Sequence, residues 1–206
     1  MLRKCTVALV LVTSLVAARP ASAIPVDLDV WLPGAGELFA GPLDDDFQVA
    51  MMPPPTMGTI TNNVYFDGSL YTYVHTVNPS LNNNQVINTQ FNVNGFTGTA
   101  GWSFSDAFDA GGSGTAADFD LDDFDQLKWD SNIGPGFGWD ANESISFFFV
   151  STRPPTIGDY NLIGLESGTA QSFQPSPVPE PGSIALLGSG LVGLYTAMRR
   201  RRSLNV

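Results

Sequence analysis

The sequence predicts an all-β body, an antiparallel β-sandwich with a jelly roll among the forms it can take. An N-terminal signal peptide and a C-terminal transmembrane helix flank it. Three observations carry the body's class. Asp67-Gly68 and Asn94-Gly95, dipeptides that favour tight turns, sit between runs of alternating apolar and polar residues, the pattern of a half-buried hairpin. Phe147-Phe148-Phe149-Val150 is apolar at every position, which suits a central strand covered on both faces. No stretch between Ile24 and Phe173 keeps a helical apolar period, and charged residues are only 14% of the chain, so helices are not expected in the body.

Residues 1–23 read as a secretory signal peptide. Arg3 and Lys4 give the positive start, and Thr6 to Ala18 is a 13-residue apolar run. That run is shorter than the roughly 20 residues a membrane helix needs. Ala21-Ser22-Ala23 places the small residues Ala21 and Ala23 where a signal peptidase reads them, with the cut before Ile24. The one cysteine, Cys5, lies in this segment, so the mature chain is expected to hold no disulfide, thiol nucleophile or cysteine-bound zinc.

The body, residues 24–173, should begin its strands with Phe47 to Met52. A hairpin on Asp67-Gly68 would pair Val64 with Tyr71 and Tyr65 with Leu70. Both of its faces are partly apolar, which places it toward the middle of a sheet. A hairpin on Asn94-Gly95 would pair Val93 with Phe96 and Ile87 with Trp102. It would bring Phe91, Val93, Phe96, Ala100, Trp102 and Phe104 to one face. Further strands are expected at Ile145 to Ser151, Tyr160 to Leu165 and Thr169 to Phe173. Residues 174–181 form a proline-rich linker, extended and stiff. Residues 182–198 carry no charge and are just long enough to span a bilayer. The basic tail, residues 199–206, opens with Arg199, Arg200, Arg201 and Arg202, a block that stays cytoplasmic and leaves the body outside.

Between Ile24 and Val178 there are 19 acidic residues and two basic ones, Lys128 and Arg153, a net charge of −17. That charge excludes binding to nucleic acid and to anionic lipid surfaces. The densest acidic run is Asp118 to Asp125. If extended, it turns Asp118, Asp120 and Asp122 to one face, where calcium is the ion such hard oxygen ligands would suit. The EF-hand pattern fails, because Asp123 stands where glycine is needed and Trp129 where the bidentate glutamate is needed. The run is therefore expected to be a solvated acidic strand edge, with no cofactor. Asp44-Asp45-Asp46 is a shorter run of the same kind.

His75, the only histidine, shares a parity with Tyr71 and Tyr73 and has no triad or metal partner at a known spacing. It is expected to be a packed or surface residue. Trp102 falls on the apolar side of its strand. Trp129 and Trp139 flank the Gly134 to Gly138 loop. They are the candidates for an exposed sugar-stacking platform. The body reads as non-enzymatic. The alternatives are a carbohydrate-binding module and, behind it, an extracellular hydrolase using paired carboxylates.

Val178-Pro179-Glu180-Pro181-Gly182-Ser183, followed by a short apolar helix and an arginine cluster, resembles the PEP-CTERM sorting signal. That signal is found on exported proteins of Gram-negative bacteria, often ones that make exopolysaccharide. The resemblance implies recognition by exosortase, a membrane-embedded cysteine transpeptidase-like enzyme. It implies a cut at or near Pro179-Glu180-Pro181, with the body then released or transferred to a surface acceptor. Signal peptidase and exosortase would be the partners during export, and exopolysaccharide the surroundings afterwards. The protein would be held briefly at the inner membrane before reaching the cell surface or exterior.

Overall fold

The structure, a computed structural model, describes residues 24–49, 58–80, 88–91, 95–110, 119–122, 127–131, 143–163 and 167–177. The chain runs β1 (Ile24–Asp27), α1 (Leu28–Trp31), a 3-10 turn (Leu32–Gly34), β2 (Glu37–Asp46), β3 (Gln48–Val49), β4 (Gly58–Phe66), β5 (Tyr71–Pro79) and β6 (Asn88–Phe91). It continues through β7 (Phe96–Trp102), α2 (Phe104–Asp109), β8 (Phe119–Asp122), β9 (Leu127–Ser131), β10 (Ile145–Ser151), β11 (Pro155–Ile163) and β12 (Ser167–Pro175). The strands form two six-stranded sheets, in the orders β1-β7-β10-β5-β4-β2 and β3-β12-β11-β6-β9-β8.

One hydrophobic core joins the sheets. Ile60, Val64, Tyr73, Val77, Ala100, Trp102, Phe147 and Phe149 from the first meet Leu127, Trp129, Tyr160, Leu162 and Ala170 from the second. The other face of the first sheet has its own cluster. Phe148, Val150 and Val74 lie beneath Leu28, with Val26, Trp31 and Leu32 packed against them. β10 thus contributes Phe147 and Phe149 to one cluster and Phe148 and Val150 to the other, as an every-position apolar strand requires.

β10 spans Ile145–Ser151, as the sequence predicts. The Asp67-Gly68 hairpin forms in the sheet interior, but its register is Phe66 with Tyr71 and Val64 with Tyr73, two residues from the predicted one. Asp67 is the cause. Its Oδ1 accepts hydrogen bonds from Ser69 N and Leu70 N, each at 2.8 Å, and from Ser69 Oγ at 3.0 Å. These local bonds open the turn to four residues. A shift of two leaves every side chain on its expected face.

The Asn94-Gly95 hairpin does not form. β6 lies in the second sheet beside β11 and β9, whereas β7 lies in the first beside β10 and β1. An apolar face on each of two strands is buried equally well by facing each other across a core as by lying side by side. Parity does not separate the two arrangements. The turn chemistry does persist at Gly95, whose φ is +69° and whose carbonyl accepts from Thr152 N at 3.0 Å.

Two further features depart from an antiparallel, helix-free body. β7 ends at Trp102, and Ser103 caps α2 by accepting from Asp106 N. The Ser-x-x-Asp spacing is a helix-start signature legible in the sequence. β1 pairs with β7 in parallel, Val26 opposite Gly101. β1, α1 and the 3-10 turn together cover the outer face of the sheet, with Trp31 Nε1 donating to Thr72 Oγ1 at 3.2 Å. Gly101 permits this approach, because a Cβ there would fall on the Val26 carbonyl oxygen.

Gly101→Val should therefore dislodge β1 and α1, expose the Leu28–Trp31 surface to a hydrophobic dye, and cost about 1–3 kcal/mol as an overpacking change. Gly34→Ala is the control. Its Cβ would meet nothing within 4 Å, and its thermal midpoint should stay at the wild-type value.

Candidate functional site

A polar cluster is buried between the sheets. Asn62 on β4 and His75 on β5 are cross-strand partners, and Ser172 on β12 reaches them from the opposite sheet. All three are fully buried. Asn62 Nδ2 donates to the carbonyls of Leu43 at 3.0 Å and Gln171 at 3.3 Å, which fixes Asn62 Oδ1 as the acceptor. His75 Nδ1 lies 2.6 Å from that oxygen and so carries the proton. Ser172 Oγ donates to the same oxygen at 2.9 Å and lies 3.1 Å from His75 Nδ1. His75 also stacks on Phe149 and leans on Tyr160.

The imidazole is therefore a neutral structural group. Burial pushes its pKa from the usual 6.5 to about 3, because the charged form has no water to solvate it. A serine, a histidine and an asparagine stand together here, but at zero exposure they are closed to any substrate. Burial likewise raises the Tyr73 hydroxyl, with Tyr71 adding to the shift, and that hydroxyl donates to the Arg153 carbonyl at 2.8 Å.

Several acidic groups are tied into the fold by hydrogen bonds. Asp44 Oδ1 accepts from Thr61 Oγ1 and Asp45 Oδ2 from Gln171 N, both at 2.6 Å. Asp44, Asp45 and Asp46 line a groove with Thr59 and Thr61. At the same end, Asp27 caps α1, Asp29 accepts from Ser105 Oγ at 2.6 Å, and Asp106 Oδ2 accepts from Ser146 N at 3.2 Å. Desolvation raises the Asp106 pKa more than its hydrogen bonds lower it. Among the described residues, no group of three or more His, Cys, Asp or Glu side chains could hold a metal ion.

Asp120 and Asp122 lie on β8, the outermost strand of the second sheet; Asp118 lies outside the described residues. Trp129, a candidate for a sugar-stacking ring, belongs to the core. It is fully buried, packs on Phe147, and donates from Nε1 to the Gly101 carbonyl at 3.0 Å. Pairing of β9 with β6 and β8 turns it into the core. Trp102 is core, as its parity predicts. Trp139, Ala21, Ala23 and the run from Val178 through Arg202 lie outside the described residues. Among the described residues no helix is long and apolar enough to cross a membrane.

The tail leaves the body at a defined point. β12 takes in Gln174 and Pro175, which the sequence assigns to the linker, and Ser176 N still donates to the Pro154 carbonyl at 2.9 Å. A folded β body with a sorting signal directly behind its last strand defines a class of protein addressed through its C-terminus. The particular address is the PEP-CTERM one: residues 177–202 match the PEP-CTERM protein-sorting motif, so the chain carries that sorting motif. The motif implies export, processing by exosortase, and sorting toward the cell surface. No curated protein and no solved structure matches the chain.

The buried histidine sets an acid limit on the fold. Between about pH 3 and 6.5 the unfolded chain binds the proton that folded His75 refuses. Stability is thus complete above pH 6.5 and declines as pH falls through that window, by at most about 1.4 kcal/mol per unit. Denaturant melts at pH 7.5 and 5.5, where ordinary carboxylates stay ionised, should show the loss in the wild type and not in His75→Phe. Asn62→Ala should cost about 3 kcal/mol, since it strands several buried donors and acceptors at once.

Proposed function

We propose that this is a non-enzymatic exported structural protein, its two sheets stacked as a β-sandwich. Signal peptidase cuts before Ile24, and the Gly182 to Met198 helix then holds the chain in the inner membrane with Arg199 to Arg202 inside. Exosortase cuts at or near Pro179-Glu180-Pro181, and the body passes to the cell surface or an exopolysaccharide matrix. The observation that carries this reading is the sorting-motif match over residues 177–202. The non-enzymatic part is supported by His75, the chain's one histidine, which is buried with its Nδ1 engaged by Asn62 and Ser172. Burial of Trp129 takes away one of the two rings on which a carbohydrate-binding reading rests.

Intact-mass analysis of the protein recovered from its host should show a chain that begins at Ile24 and lacks the Gly182 to Met198 helix. Glu180→Ala should accumulate as a longer, membrane-held precursor. A wild-type surface protein that retains Arg199 to Arg202 would refute the processing step.

No resident calcium belongs to this reading, and β8 at the sheet edge fits a solvated acidic border. Calcium and magnesium at equal concentration should raise the melting temperature alike, by screening. A calcium-specific increment removed by Asp120→Asn with Asp122→Asn would establish a site, since a ligand at 100 times its Kd adds about 2.7 kcal/mol.

A further inference from the structure

Among the described residues the body's charge is not uniform, and its distribution follows the strand axis. At one end, β2 and β4 place Asp46 opposite Thr59, β1 ends at Asp27, and α2 carries Asp106 and Asp109 beside the start of β10. Asp29, Asp44 and Asp45 lie toward this same end. At the other end, Phe66 pairs with Tyr71, Tyr71 with Ser151, and Pro155 with Pro175. Among the described residues, the acids placed there by the pairing are Glu37, opposite Phe66, and Asp67, whose carboxylate is held by Ser69 and Leu70. Arg153, one of only two basic residues between Ile24 and Val178, sits in the loop at this end.

The same end carries an aromatic cluster. Phe66 stacks on Tyr71 with ring centroids 4.5 Å apart, and Phe39 packs edge-on against both, at 5.9 and 5.3 Å. Phe39 is 53% exposed and Leu38 beside it 52%. A partly exposed aromatic cluster at the same end of the sheet as a cation is a composition that suits a lipid headgroup boundary.

Chain length ties this end to the bilayer. Ser176 is anchored to Pro154, and the uncharged run begins at Gly182. Six residues span at most about 22 Å. The headgroup layer takes up about 5–8 Å of that, so the β12 end stands within about 17 Å of the lipid surface, roughly two Debye lengths. The tether therefore lets either end of the body reach the surface, and within a Debye length of it an anionic bilayer repels the aspartate end and turns it away. The charge that excludes adsorption of a free body orients a tethered one.

We propose that the β12 end of the body is a membrane-facing surface. While the tail is uncut, Phe39, Phe66, Tyr71 and Arg153 lie against the headgroups of an anionic bilayer, with the aspartate end pointing away. This rests on the reading of residues 182–198 as a membrane anchor.

The chain from Ile24 onward has no cysteine, so single labels can be placed in it with the tail intact. Thr152→Cys marks the β12 end and Thr59→Cys the aspartate end; both positions are exposed. In vesicles of phosphatidylglycerol and phosphatidylethanolamine, a headgroup-attached spin-label quencher should quench a fluorophore at residue 152 several-fold more than one at residue 59. Phe39→Ser with Arg153→Glu should shrink that ratio. Equal quenching, stronger quenching at residue 59, or a ratio untouched by the double change would each overturn the proposal. Flotation separates the two readings: a chain that fails to float with vesicles overturns the anchor and this surface with it, whereas a floating chain with equal quenching overturns the surface alone.

Discussion

A strand that is apolar at every position has to be covered twice, and β10 imposes that condition on the whole body. Phe147 and Phe149 require the second sheet beneath them. Phe148 and Val150 require a cover on the opposite side. The second sheet meets the first demand with Leu127, Trp129, Tyr160 and Leu162. The stretch from β1 to the 3-10 turn meets the other with Leu28, Trp31 and Leu32. Removing either cover would expose large aromatic area to water at about 25 cal/mol per Å². The parallel β1–β7 pair and the bare Cα of Gly101 follow from the need to seat that cover close to the sheet.

Hydrophobic contact alone would leave the two sheets free to slide over one another. The Asn62–His75–Ser172 cluster and the Asp45–Gln171 bond set their relative position. Each buried donor in such a network has one geometry in which it is satisfied, and a displaced sheet would leave several groups unpaired in a dry interior. The cluster therefore adds selectivity among packings. Its chemical components resemble those of a hydrolase, but closure from solvent makes them a lock between layers.

The sequence showed which faces are buried more reliably than which strands are neighbours. Alternation placed Ala100, Trp102, Tyr73 and His75 on their correct sides, and an unbroken apolar run located β10 to the residue. Alternation carries no information on partner identity, so β6 and β7 were readable as a hairpin although they lie in different sheets. The Asn62–His75 pair was hidden by a two-residue register difference: with a two-residue turn, His75 falls opposite Ile60. The bonds from Ser69 and Leu70 to Asp67 that lengthen the turn are side-chain chemistry that a dipeptide rule does not weigh. Ser172 is 97 residues from His75, and no local pattern links them. The sorting motif was legible because its residues are contiguous, whereas the burial of Trp129 depends on strands distant in the chain.

The cover over β10 also reverses the order in which the molecule can be completed. In synthesis, residues 24–34 are the first of the body to be made. Yet Val26 waits for Gly101, 75 positions later, and Leu28 for Phe148 and Val150 later still. Long-range closure of this kind is slow, so the first segment to emerge is among the last to dock. During that interval Leu28, Val30, Trp31 and Leu32 form an apolar stretch with no surface to cover. The opening segment of the body is thus both the lid of the finished fold and an apolar stretch left uncovered while the remainder arrives.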